Sequence, residues 1–140
     1  MNHWLVKTEP NDYSARDLER DGSTEWDGVR NNAALKHLRA MAPDDTVLIY
    51  HTGKEKAAVA VAKVVSEPRP DDGDQSGKLA VVDIRFARWL EQPVRLSDVK
   101  ADPFFADFAL VRLSRLSVMP VSHKQWQRLL EMAGDSTAGR

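Results

Sequence analysis

Apolar and polar positions first alternate along His3-Trp4-Leu5-Val6-Lys7-Thr8, which predicts an opening strand. Glu9-Pro10 stops it, because proline has no N–H to give a ladder. The next residues are ordered as a helix start: Ser14 to cap, Asp17 among the free N–H groups, and Tyr13 to staple against Leu18. Asp21-Gly22-Ser23 ends that helix. A second helix follows Asn31 or Asn32 as cap, with Ala34, Leu35, Leu38 and Met41 or Ala42 at helical spacing until Pro43. Thr46 to His51 reads as a buried strand, and Thr52-Gly53-Lys54-Glu55 turns tightly into a long strand from Ala57 to Val65. One face of that strand carries Ala58, Ala60, Ala62 and Val64. So many small side chains let another backbone or a helix approach closely, as in a small curled sheet.

Glu67 to Gly77 is turn-rich and acidic, and predicts an exposed loop. Ala80, Val82, Ile84 and Phe86 alternate with Val81, Asp83 and Arg85, the pattern of a half-buried strand. Leu96 to Val99 and Asp102 to Phe104 read as short helical turns, and Leu110 to Leu116 as a final strand. Ser122 and Gln125 form a capping box for a last helix with Trp126, Leu129, Leu130 and Ala133 on its inner face. Gly134 ends that helix, and residues 135–140 read as a frayed tail. The expected fold is α+β: one domain over residues 1–134, strands near in sequence pairing antiparallel in a small barrel-like sheet, helices outside.

A length of 140 residues suits that single domain and gives it a core of proper size. No apolar run approaches the roughly 20 residues of a membrane span, and the strand-like opening leads us to expect no signal peptide. With no cysteine, disulfides, thiolate zinc sites and thiol nucleophiles are excluded, and a cytoplasmic address is expected. The formal net charge of −1 means that no large positive field covers the molecule. A nucleic-acid partner would therefore be gripped at one or a few nucleotides. Basic residues do gather locally, at Arg112, Arg115, Lys124 and Arg128, while Asp71, Asp72 and Asp74 collect in the loop.

The stretch richest in binding chemistry is Trp26-Asp27-Gly28-Val29-Arg30-Asn31. A flat aromatic face, a guanidinium and a two-way amide are what a pocket for a nucleobase needs. Arg30 and Asn31 fall at a helix N-terminus, where unpaired N–H groups favour an anion. Tyr50 and His51 end a strand, the usual position for residues lining a barrel mouth. The four histidines show no metal-ligand spacing. Phosphate-loop and nucleophile-elbow motifs are also absent, so neither a metal nor a cofactor is expected.

Several separated blocks together resemble one family. Trp4 to Pro10 with Tyr13-Ser14, then Trp26 to Asn31, Ile49 to Ala57, Leu110-Val111-Arg112, and Arg115 to Val121 are similar to the EVE domain, in the right order across nearly the whole chain. The chain departs from the family pattern at Asp44, where a glycine is usual, at Ala60, where glycine is frequent, and at Ala33, where glutamine often follows the Arg-Asn pair. The resemblance implies a PUA-like pseudobarrel of mainly antiparallel strands with flanking helices, related to the YTH readers of methylated RNA. It also implies a pocket for a modified base, either a modified cytosine in DNA or a modified RNA base.

Under this reading a modified nucleotide is flipped into a pocket formed by Trp26, Asn31, Tyr50, His51, Ser14 and Lys7, with Trp26 stacking on the base. Arg30, Arg112, Arg115 and Ser117 hold the adjacent backbone. Plainer roles compete: Trp26 as a core residue, Asn31 and Ser14 as helix caps, His51 as a buried histidine, the arginines as a solvated face. Two other functions stay open. One is a small enzyme acting on a nucleotide or small acid, with His51 and either Tyr50 or Lys7 as acid–base groups. The other is a protein-binding adaptor. Nothing demands more than a monomer, and no membrane partner is expected.

Overall fold

The structure, a computed structural model, describes residues 1–135. Strands β1 (His3–Thr8), β2 (Ser23–Trp26), β3 (Thr46–His51), β4 (Ala57–Val64), β5 (Arg69–Pro70), β6 (Ala80–Arg95) and β7 (Val118–Val121) form the sheet system. Around it lie α1 (Ala15–Asp21), α2 (Asn32–Arg39), α3 (Leu96–Ala101), α4 (Ala109–Arg112) and α5 (His123–Met132), with a 3-10 turn at Pro103–Phe105. The strand order is β2-β6-β4-β3-β1-β7, and β5 pairs separately with β6. Every pairing is antiparallel except that of β1 with β3. That pair is parallel because the chain between the two strands crosses over through α1, β2 and α2, a connection that antiparallel neighbours do not need.

The helix ends follow the expected chemistry. Ser14 and Ser122 each make a full capping box, with Asp17 and Gln125 respectively, and Asn31 caps α2. β4 is buried at every position but Lys63, and Ala60 and Ala62 are fully enclosed. Backbone register shifts between Ala58 and Ala60, between Val61 and Ala62, and between Ile49 and Tyr50 on β3. Such bulges sharpen local twist and let a sheet bend. The bend brings the ends of the sheet towards each other, and α2 packs against both β6 and β7.

Three elements differ from the expectation. β6 runs to Arg95 instead of stopping near Phe86; its alternation fails at Ala87-Arg88-Trp89 because the register shifts there against β4. β2 is a short edge strand that polar Ser23 and Glu25 disguise. Residues 110–116 are not a strand: α4 ends at Arg112 and turns lead into β7. In a strand, Leu110 and Leu116 would share a face with Arg112 and Ser114; only Leu110 and Leu116 are buried, which a helical turn allows. The tail expected over 135–140 lies outside the described residues except for Asp135. That residue is buried, accepts from the Glu91 N–H at 2.9 Å and pairs with Arg88.

A buried carboxylate fixes the start of the sheet. Asp45 Oδ1 accepts from the Asn2 N–H (3.0 Å), and Oδ2 accepts from the Trp4 indole N–H (2.9 Å) and the Ala42 N–H (3.0 Å). Beside it Asp44 holds φ +78°, the left-handed conformation that explains why glycine is usual there. Burial pushes the Asp45 carboxyl upward, but the hydrogen bonds from Asn2, Trp4 and Ala42 outweigh it and leave the group below its ordinary value. A depressed carboxyl stabilises the fold above its unfolded pKa of about 3.9 and loses that contribution as pH falls towards the folded value. We therefore expect Asp45→Asn to cost about 1–3 kcal/mol at neutral pH. Denaturant titrations near pH 7 and near pH 3 should show the wild type converging on the variant in acid; a constant difference would contradict this role.

Candidate functional site

A cleft of about 600 Å³ opens where the curled sheet fails to close. Its walls come from the end of β1 (Lys7, Thr8) with Glu9, from Asp12-Tyr13, from Thr24 through Val29, and from Ser117. In the sheet order β6, β4 and β3 separate β1 from β2, yet both line this one space. The cleft is therefore the seam between two stretches of a rolled sheet, with the start of α1 beside it. Its volume falls in the range of small-molecule sites.

Aromatic walls meet at right angles. Trp26 retains 8% of its surface, and Tyr13 stands edge-on to it with centroids 6.4 Å apart and planes at 82°. The Tyr13 hydroxyl donates to Asp21 Oδ2 (2.8 Å), and burial raises the phenol above its usual range. Lys7 Nζ donates to the Ser114 carbonyl (2.9 Å) and lies 5.7 Å from the centre of the Tyr50 ring. Burial holds its ammonium below the usual lysine range. Glu9 is held in place: Oε1 accepts from the Asn11 N–H (3.2 Å) and Oε2 from the Thr52 hydroxyl (3.3 Å). Gly53, at φ +79°, passes so close that a Cβ there would lie 2.9 Å from Glu9 Oε2.

The cleft's charge is acidic. Glu9, Asp12, Glu25 and Asp27 line it against the single cation Lys7. Glu25 pairs with Arg69 at 2.6 Å. The exposed Asp12 and Asp27 side chains have no partner among the described residues. A phosphate inside this space would meet net repulsion, whereas an amino group would find acceptors.

Of the residues singled out in the sequence, Lys7, Trp26 and Ser117 line the cleft. Arg30 and Asn31 follow directly on Val29, the last residue of its wall; both are exposed, and Asn31 Oδ1 accepts from the Ala34 N–H (3.0 Å) as the cap of α2. Ser14 is engaged as the cap of α1, accepting from the Asp17 N–H at 3.1 Å. Tyr50, 3% exposed, lies beneath Lys7 in the core. His51 is buried behind α1: Nε2 accepts from the Ala15 N–H (3.0 Å), so the proton sits on Nδ1 and is donated to Glu55 Oε1 (2.7 Å). Arg112 is on α4 and pairs with Asp107 at 3.6 Å. Arg115 occupies the turn between Ser114, whose carbonyl holds Lys7, and cleft-lining Ser117.

Thr8, Glu9, Asp12, Tyr13, Thr24 and Glu25 also line the cleft, and pattern reading assigns none of them to the site. Tyr13 has the spacing of a helix staple, which hides a second use. Thr24 belongs to the unpredicted β2. The readable sign was Glu9-Pro10, since a strand broken there must send the next residues across its own end.

Residues 2–132 match the family model described as the EVE domain. The rat protein named thymocyte nuclear protein 1 (Rattus norvegicus) is 28% identical over 166 residues, spanning 94% of this chain and 73% of that protein. The solved structure of Rpa0253 from Rhodopseudomonas palustris is 40% identical, covers 96% of this chain and 94% of its own, and superposes with a TM-score of 0.90. Human THYN1, solved in complex with DNA containing 5-methylcytosine, is 25% identical, covers 97% and 99% of the two chains, and has a TM-score of 0.89. Among the described residues no helix is long and apolar enough to cross a membrane, and no group of three or more His, Asp or Glu could hold a metal ion.

The His51 bracket has a direct test. His51→Ala leaves the buried Ala15 N–H without an acceptor, and we expect a loss of about 1–3 kcal/mol in a denaturant titration. An unchanged midpoint would show that the ring carries no structural bond.

Proposed function

The chain belongs to the EVE domain family, and from that premise we propose that it is a non-catalytic reader of modified cytosine in DNA. The observation that carries the reading is a cleft with aromatic walls and acidic lining, in a fold whose human relative was solved with DNA containing 5-methylcytosine. A flipped cytosine fits this chemistry term by term. Its ring stacks on Trp26 while Tyr13 closes the perpendicular side. Its exocyclic amino group donates to carboxylates, the pairing that cytosine N4 makes with Glu and Asp. Its 5-substituent lies on the apolar surface of Val29 and the indole.

Discrimination has a natural size. One added methyl in a fitted apolar pocket is worth about 1–3 kcal/mol, about 5- to 150-fold in affinity, with tenfold towards the lower end. Flipping costs a few kcal/mol and is common to modified and unmodified sites, so it lowers both affinities without changing their ratio. Arg30 and Arg115, exposed at the two sides of the cleft and without ion pairs among the described residues, contact the neighbouring backbone; Arg112 is partly occupied by Asp107.

Enzymatic use of His51 finds no support, because both of its ring nitrogens are already bonded within the fold. An adaptor role is weakened by the use made of exposed aromatics. Trp89 donates to Glu19 (2.9 Å), and Phe104 packs on Phe105 and under Arg128.

Titration of matched oligonucleotides with cytosine or 5-methylcytosine tests the reading. The wild type should prefer the methylated strand about tenfold. Trp26→Phe should weaken binding, and Trp26→Ala should lower affinity by the 1–3 kcal/mol typical of one stacked base, about 5- to 150-fold. Because Trp26 also packs in the core, the exposed Asp27→Asn should reduce the preference for cytosine over thymine with no change in thermal midpoint. Equal affinities for both strands, unaffected by these substitutions, would overturn the proposal.

A further inference from the structure

The acidic cleft repels phosphate, so a strand that places one base in it must lay its backbone on other surface. The candidate lies next to Glu9. The turn joining β3 to β4 leaves the cleft wall at Thr52, whose N–H donates to the Thr8 carbonyl (2.9 Å), and passes Gly53 against the Glu9 carboxylate. It then presents Lys54 and Lys56 to a second groove, of about 360 Å³, completed by Arg95 and Lys100. The one carboxylate lining that groove, Glu55, is drawn back to His51 at 2.7 Å. Lys54, Lys56, Arg95 and Lys100 are all exposed, and none forms an ion pair among the described residues.

The groove is also built rigidly. Gly53 has φ +79° and Lys56 has φ +48°, left-handed values that ordinary turns avoid with lysine. The Lys56 carbonyl accepts from the Leu96 N–H (2.8 Å), and Ala57 pairs with Arg95 at the last rung between β4 and β6. Four cations from the β3–β4 turn, the end of β6 and α3 thereby share one groove, in a chain whose net charge is −1. Unpaired cations kept together repel one another, and the arrangement costs stability unless an anion comes to it.

We propose that the Lys54–Lys56–Arg95–Lys100 groove is a phosphodiester track that holds the DNA strand on the Glu9 side of the cleft. The inference rests on the reading of the cleft as a base pocket in DNA. It assigns strand affinity to this groove and base choice to the cleft. The two contributions are separable by salt, since each phosphate contact adds about −0.9 to the slope of log K against log salt on duplex DNA and about −0.7 on single strands.

The test compares the wild type with the K54Q/K56Q/R95Q/K100Q variant on methylated and unmethylated oligonucleotides, by fluorescence anisotropy between about 50 and 200 mM salt. We expect the free variant to melt no lower than the wild type and to keep its methylated-to-unmethylated ratio, and its slope to become shallower by about 3, close to one per lost contact. An unchanged slope with the methyl preference intact overturns the groove and leaves the cleft reading standing. A shallower slope in a protein with no methyl preference supports the groove and removes the cleft reading. Failure of the wild type to bind either strand overturns both.

Discussion

The curl of the sheet is the constraint on which the rest depends. β4 lies at its centre with alanines enclosed on the inner face, and bulges on β3, β4 and β6 release the register where the bend is sharpest. A flat sheet of this order would place β1 and β2 far apart with β6, β4 and β3 between them. Rolled, it leaves a seam that no strand fills. The parallel pairing of β1 with β3, register Thr8 opposite His51, sends both chains out at the same end. The Glu9–Tyr13 segment and the Thr52–Lys56 turn are thereby neighbours, one becoming the cleft wall and the other its support. Ligand sites recur at the carboxyl ends of parallel strands for this same geometric reason.

Charge is divided in a way that the overall balance conceals. A chain with 20 Lys and Arg against 21 Asp and Glu has no long-range pull on DNA. Locally, carboxylates collect inside the seam and unpaired cations sit around it, at Arg30, Arg115 and the β3–β4 turn. Such separation favours contact at a few nucleotides over adhesion along a duplex. Lys7 is the exception inside. Its charge is kept in partial burial by the Ser114 carbonyl and the face of Tyr50, a position that costs stability and is explicable as part of a binding wall.

Local chemistry was the most legible part of the chain. Both serine caps and the alanine face of β4 follow from spacing alone, since each depends on residues close in sequence. Asp44 shows how far pattern reaches: a glycine is usual there, and φ +78° supplies the reason. Long-range assembly was less legible. The parallel β1–β3 pair needs knowledge of a crossover, β2 hides behind polar residues on an edge, and the run Leu110 to Leu116 fits a strand or a turn until its neighbours decide. The cleft inherits those gaps. Lys7, Trp26 and Ser117 were within reach because they sit beside readable breaks, whereas Thr24 and Glu25, on the unpredicted β2, join the site only when the sheet rolls. Ser14 is engaged by its own helix, His51 by the Ala15 N–H 36 residues away, and Tyr50 is buried beneath Lys7, so only the last two depend on partners distant in sequence.

The central claim is that Trp26 forms the wall on which a single cytosine rests. The four tryptophans give four indole N–H resonances, and Trp4 and Trp126 are core residues that do not line the cleft. Titrating isotope-labelled protein with an oligonucleotide containing one 5-methylcytosine should move the Trp26 indole signal to saturation while those of Trp4 and Trp126 stay in place. A Trp26 resonance unmoved at saturating oligonucleotide would contradict the account.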